Sequence, residues 1–125
     1  MKRILSFIAI LSVFVGLTSM KMAIGEFKFD KETHDFGNIP FNKPVSFDFV
    51  YKNVGDAPII INDVKPSCGC SVAEFTKSPT KPGESGKITV TYNAAAKGPF
   101  TKQFTVKSSN SKTPVKTLTV KGNVQ

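Results

Sequence analysis

The chain has 125 residues, a formal net charge of +8, 40% hydrophobic residues, eleven phenylalanines, one histidine, two cysteines and no tryptophan. Setting aside the N-terminal segment described next leaves about one hundred residues, enough for one domain with one modest core and too few for a second. Those residues hold fourteen lysines, nine acids and no arginine, a net charge of about +5; scattered lysines without the residue best suited to phosphates and bases argue against nucleic-acid binding and for solvated strand faces.

Met1-Lys2-Arg3 is a short positive region, Ile4 to Leu17 is a nearly unbroken apolar run, and small and polar residues follow. This is the layout of a secretory signal peptide. A membrane-spanning helix needs about twenty apolar residues, and Lys21 arrives too soon for one. Ala23-Ile24-Gly25 places small residues at the two positions a signal peptidase reads, so cleavage is expected after Gly25. That gives a signal peptide over 1–25 and a domain over 26–125, with no membrane span after cleavage. Cleavage near Leu17-Thr18-Ser19 and an uncleaved anchor are the alternatives. No cysteine follows the apolar run, which removes lipid anchoring through an N-terminal cysteine.

The remainder reads as short strands separated by turns. Phe27 and Phe29 alternate with charged residues, and His34-Asp35-Phe36-Gly37 follows before a turn near Pro40. Val45, Phe47, Phe49 and Tyr51 occupy every second position, the mark of a strand with one buried face. Asn53-Val54-Gly55-Asp56 is a turn, and Pro58 to Val64 is a deeper strand. Beyond the cysteines, Val72 to Phe75 makes a short strand and Pro79 through Gly86 a loop, with Pro82 and Gly83 setting its turn. Ile88, Val90 and Tyr92 alternate again, as do Phe100, Phe104 and Val106, and Leu118, Val120 and Val124 close the chain. Seven or so strands with alternating faces predict an all-β, Ig-like antiparallel sandwich whose interior is filled by phenylalanine.

Cys68 and Cys70, separated only by Gly69, are the candidates for chemistry. Free thiols in an exported protein are usually oxidised. On a regular strand two such residues would hold their Cα atoms about 6.5–7 Å apart, at the limit for a disulfide. Closing the bond therefore requires a fold of the backbone at Gly69. Such a small ring would be strained, add little stability and suit redox exchange better than stapling. A second reading is a Cu(I) site, since two soft thiolates suit that ion whereas structural zinc needs four ligands. A third is packing, because cysteine is among the most buried residue types.

No other constellation carries chemistry. His34 and Asp35 lack a serine in a nucleophile context and read as structural or exposed. Lys81-Pro82-Gly83-Glu84-Ser85-Gly86 lacks a phosphate-loop pattern opening a helix, and the acids are scattered. No catalytic residue and no cofactor is expected.

Five motifs in order are together informative: His34-Asp35-Phe36-Gly37, Asn53-Val54-Gly55, Pro66-Ser67-Cys68-Gly69-Cys70, Pro82-Gly83-Glu84-Ser85-Gly86 and Gly98-Pro99-Phe100. From Thr33 to Val124 the chain resembles a bacterial family of exported Ig-like domains of unknown function with a Ser-Cys-Gly-Cys core. That family is related in fold to the major-sperm-protein-like and cilium-associated Ig-like modules. The family's Cys-Gly-Cys falls on Cys68, Gly69 and Cys70, and its Pro-Gly-x-x-Gly turn on Pro82, Gly83 and Gly86. Ser71 and Val72 stand where some members have threonine and proline. The resemblance implies a sandwich of about seven strands, no established reaction, and use as a small exported domain or a repeat in surface proteins. The expectation is a non-enzymatic, periplasmic or secreted module that binds or scaffolds protein or other cell-envelope components. The alternative is a thiol-redox or Cu(I)-binding protein acting through Cys68 and Cys70.

Overall fold

A computed structural model describes residues 23–125; the expected signal peptide lies outside the described residues except for Ala23, Ile24 and Gly25. Eight strands follow in chain order: β1 (Phe27–Phe29), β2 (Thr33–Ile39), β3 (Val45–Asn53), β4 (Ile60–Pro66), β5 (Ser71–Phe75), β6 (Ser85–Tyr92), β7 (Gly98–Ser109) and β8 (Val115–Val124). They form two four-stranded sheets with the orders β1-β3-β6-β5 and β2-β8-β7-β4. This is the Ig-like sandwich that the alternating pattern predicts. Among the described residues there is no helix, so none long and apolar enough to cross a membrane.

Two features differ from the expectation of about seven antiparallel strands. The eighth strand is β2, and it runs parallel to β8, pairing Thr33 with Thr119 and Ile39 with Val124. The register shifts between Asp35 and Asn38. There Gly37 takes a positive φ of 69° and donates its N–H to Asp35 Oδ1 at 2.8 Å. That bulge breaks the two-residue period, and Ile39 is the only fully buried residue of the strand. A sequence scan for alternation therefore passes over it.

Between the sheets, Phe49, Tyr51, Ile88, Val90, Phe104, Val106, Leu118 and Val120 are buried. Tyr51 packs edge-on to Phe27 at 4.9 Å between ring centroids, and Tyr92 stacks on Phe100 at 4.2 Å. Gly86 lies against the Tyr51 ring, and a Cβ there would collide with the phenol. The Tyr51 hydroxyl is hydrogen-bonded to Thr80 Oγ1 at 3.1 Å, which opposes the upward push of burial on its pKa.

The expected turn at Asn53 is instead the inward-facing end of β3. Parity carries the row Val45, Phe47, Phe49, Tyr51 onto Asn53, whose side chain is 0% exposed. Its Nδ2 donates to the carbonyls of Ala57 (2.7 Å) and Thr80 (2.9 Å). Its Oδ1 accepts from the N–H groups of Glu26 (3.2 Å) and Gly55 (2.9 Å). Its own backbone N–H donates to Glu84 and its carbonyl accepts from Gly83. The side chain of one residue thus satisfies four backbone groups in three segments.

The N-terminal stretch is held the same way. Gly25 is buried, donates to Asn110 and accepts from Lys112, while the Ile24 carbonyl accepts from Asp56. The expected boundary between residues 25 and 26 therefore cuts through bonded backbone.

Replacing Asn53 with leucine strands the Glu26 and Gly55 N–H groups and the Ala57 carbonyl at about 1–3 kcal/mol each, while the Thr80 carbonyl keeps the Ile59 N–H. We expect Asn53→Leu to lose at least about 3 kcal/mol in urea unfolding, and Asn53→Asp to be damaged too because the Ala57 carbonyl loses its donor and the Thr80 carbonyl one of two.

Candidate functional site: the Cys68–Gly69–Cys70 crossover

β4 and β5 belong to different sheets, so Ser67 to Cys70 carry the chain from one to the other. The crossover is fixed at both ends. The Ser67 N–H donates to the Gln103 carbonyl (2.9 Å), and the Gln103 N–H donates to Ser67 Oγ (3.2 Å). At the far end the Asn93 N–H donates to the Cys70 carbonyl (3.0 Å).

Within this turn Cys68 and Cys70 form a disulfide, with their Cα atoms 5.4 Å apart. That lies within the ordinary range for a bridge and below the spacing of a regular strand, because the backbone turns at Gly69. Both cysteines are half-buried, and Cys70 packs against the core. Gly69 is exposed, its φ is not positive, and a Cβ added to it meets nothing within 4 Å. The turn uses glycine for openness and not for a left-handed backbone. With the sulfurs joined neither is a thiolate, so the Cu(I) reading requires prior reduction. Among the described residues no group of three or more histidine, cysteine, aspartate and glutamate side chains could hold a metal ion.

His34 does not join the cysteines. Its ring stacks on Phe47 at 3.8 Å and meets Phe36 edge-on at 4.7 Å. Nδ1 is buried without a hydrogen-bond partner among the described residues. Desolvation, helped by Lys31 and opposed by Asp35, holds its pKa below the ordinary histidine value. Asp35 is occupied in capping Gly37. This pair is structural.

The other motifs meet in two structural clusters. Asn53-Val54-Gly55 and Pro82-Gly83-Glu84-Ser85-Gly86 come together around the Asn53 side chain and the Tyr51 ring. His34-Asp35-Phe36-Gly37 and Gly98-Pro99-Phe100 meet at an open recess of about 370 Å³ lined in part by Asp35, Gly37, Pro99, Phe100 and Lys121. Only the cysteine motif leads out to solvent as chemistry.

One residue near the crossover escapes a reading by motif. Lys102 sits on β7 between Phe100 and Phe104, on the inward-facing parity, and is half-buried. Its Nζ lies 5.9 Å from the centre of the Tyr92 ring. The signal was the interruption of an otherwise apolar row by one lysine.

The two sheets define an Ig-like β-sandwich, and comparisons with known proteins agree on that architecture. The family described as a protein of unknown function (DUF1573) matches residues 27–124, and the chain belongs to it. No curated protein matches the chain. A Porphyromonas gingivalis protein of unknown function is similar with a TM-score of 0.71 and 16% identity, covering 86% of this chain and 51% of that one. The ASH/PapD-like domain 7 of human CEP192 is similar with a TM-score of 0.64 and 9% identity, covering 87% and 92% of the two chains. The Vibrio cholerae VesB protease is similar with a TM-score of 0.62 and 19% identity over 79% of this chain and 31% of its own. Identities this low show the fold alone. The chain aligns with about half the length of the P. gingivalis protein and about a third of the protease.

Two outcomes follow from this geometry. Because the folded state disfavours charged His34, its contribution is complete above pH about 6.5 and is lost as pH falls through the lower folded pKa. Urea unfolding from pH 7.5 to 5 should therefore show His34→Phe losing less stability than the native chain. Second, a three-residue loop yields at most about 2 kcal/mol of loop-closure stabilisation. Reduction, or replacement of both cysteines by serine, should leave the folded circular-dichroism spectrum intact and lower unfolding stability by no more than that.

Proposed function

We propose that the chain is an exported, non-enzymatic Ig-like module that binds or scaffolds protein components of the bacterial cell envelope. The observation that carries this reading is the state of the four sheet edges. β1 is three residues long, and β2 carries a bulge at Asp35 to Asn38. β4 carries a bulge at Ile61 to Asp63, ends in Pro66, and is flanked by an Ile59–Thr80 bridge. Such devices blunt an edge against further pairing.

β5, Ser71-Val72-Ala73-Glu74-Phe75, has none of them. Its hydrogen-bonded pairs with β6 are bracketed by Cys70 with Asn93 and Thr76 with Lys87. Alternation therefore turns the backbone groups of Val72 and Glu74 towards β6 and those of Ser71, Ala73 and Phe75 outward. Val72 is 60% exposed on the solvent face. Cavities of about 380 and 200 Å³ lie beside Phe75, with Lys77 and Lys87 in their walls. An edge of this kind accepts an extended segment of another exported protein as an added strand.

Further support comes from the comparisons, in which the same sandwich forms less than a third of a protease chain and nearly all of a PapD-like domain of a larger protein. On this reading the leader is removed upstream of Ile24, since Ile24 and Gly25 are bonded to Asp56, Asn110 and Lys112.

A photo-crosslinking residue at Val72 or, as control, at the equally exposed Val115 on β8 tests this in the producing cell. The expected result is a discrete adduct from position 72 that disappears when Ala73→Pro removes an outward N–H, with none from position 115. The mature protein should appear in the periplasm or medium with a mass that retains Ile24. Adducts absent, equal from both positions or indifferent to Ala73→Pro would overturn the reading.

A further inference from the structure

We propose that Cys68 and Cys70 are a thiol-exchange site for cysteine-bearing exported proteins, tuned by Lys102. Three observations lead there. The disulfide closes a loop of minimal size, so it contributes little to holding the fold. The hydrogen bonds at Ser67, Gln103, Cys70 and Asn93 that fix the two ends of the crossover do not involve the sulfurs. The turn is uncovered at Gly69, where there is space for an incoming group. A half-buried bridge at an open turn, free to open without unfolding its surroundings, belongs to the readily exchanged kind.

Lys102 supplies the asymmetry between the two sulfurs. β4 and β7 pair Pro66 with Phe104, and the Ser67–Gln103 bonds continue that register by one step. Extending that register one step past the strand end, we infer that Cys68 lies across from Lys102. Lys102 is on the inward parity and reaches over Tyr92, which pairs with Ser71 next to Cys70. Among the described residues no carboxylate forms an ion pair with it. The other charged groups on the strands flanking the crossover, Asp63 and Lys65 on β4 and Glu74 on β5, are exposed. Lys102 and the Tyr92 hydroxyl are the titratable groups on the inner side.

The chemistry balances without a cofactor. A partner thiolate attacks Sγ of Cys70, the Cys68–Cys70 bond breaks, and Cys68 departs as a thiolate beside the Lys102 ammonium. A second thiolate of the partner then attacks the partner sulfur of the mixed disulfide and releases Cys70 as a thiolate. The partner gains a disulfide and loses two electrons; the two cysteines gain them and take protons from solvent according to pH. A nearby cation lowers the pKa of the departing thiol and makes Cys68 the better leaving group.

The test uses the full chain with glutathione as the probe, and Cys70→Ser to isolate the Cys68 thiol. The native disulfide should equilibrate with reduced glutathione while circular dichroism stays folded. In Cys70→Ser the Cys68 thiolate, read by its ultraviolet absorbance against pH and by iodoacetamide rate, should form below the ordinary cysteine range. Adding Lys102→Met should slow alkylation at pH 7 by about three- to tenfold, and Lys102→Arg should restore it. Lys102→Met should also shift the glutathione equilibrium towards the disulfide. A bridge that glutathione opens only after urea unfolding would overturn the proposal. So would a Cys68 titration that is indifferent to Lys102→Met in a chain of unchanged unfolding midpoint. The outcome is independent of adduct formation at Val72, so this site and the strand-binding edge fail separately.

Discussion

The side chain of Asn53 is the polar knot on which the sandwich is tied. Buried polar groups are tolerated only when their hydrogen bonds are made, and this amide makes all four. Its two donors meet carbonyls and its oxygen meets two N–H groups, so the orientation of the amide follows from its partners. Those partners are the entry to β1, the turn after β3 and the loop before β6, segments that cannot pair with a sheet of their own. Without that network each would bring unsatisfied backbone into a dry interior. The loop from Thr80 to Gly86 owes its course to it, and so does the packing of Gly86 against Tyr51.

Around that knot the core is aromatic and layered by parity. Every second residue of β3, β6, β7 and β8 points inward, and where an inward position is polar it has a definite reason. Asn53 binds backbone. Lys102 keeps its stem against the core and its ammonium near the Tyr92 face, the usual compromise for a long cation at the margin of an apolar layer. His34 is drawn into the stack of Phe47 and Phe36 as a flat neutral ring, which is why its pKa falls. The single histidine is therefore spent on packing, which leaves the half-buried pair of sulfurs as the candidate chemistry among the described residues.

The five motifs legible in the sequence prove to be contacts read at a distance. Four of them collapse into two pairs, one around Asn53 and Tyr51 and one at the recess beside Phe100, and the cysteine motif stands apart at the crossover. β2 was hard to see because Gly37 and Asp35 interrupt its alternation and its partner is at the other end of the chain. Asn53 was read as a turn because asparagine before valine-glycine is turn chemistry locally, whereas its burial depends on strands far from it in sequence. The pairing of Cys68 with Cys70 could be entertained but not decided, since a straight strand holds their Cα atoms too far apart and only the crossover between sheets brings them to 5.4 Å.

By itself the sequence determined the class of fold, the place of six strands and most of a seventh, the inward row of phenylalanines, and the isolation of chemistry at Cys68-Gly69-Cys70. Those properties follow from local parity and composition. Tertiary structure alone decided which strands lie at the sheet edges, that β2 closes the second sheet in parallel, that Asn53 is core and that Cys68 and Cys70 are joined. Each of those depends on register between strands, and register is a property of pairs of segments and not of any one stretch of chain.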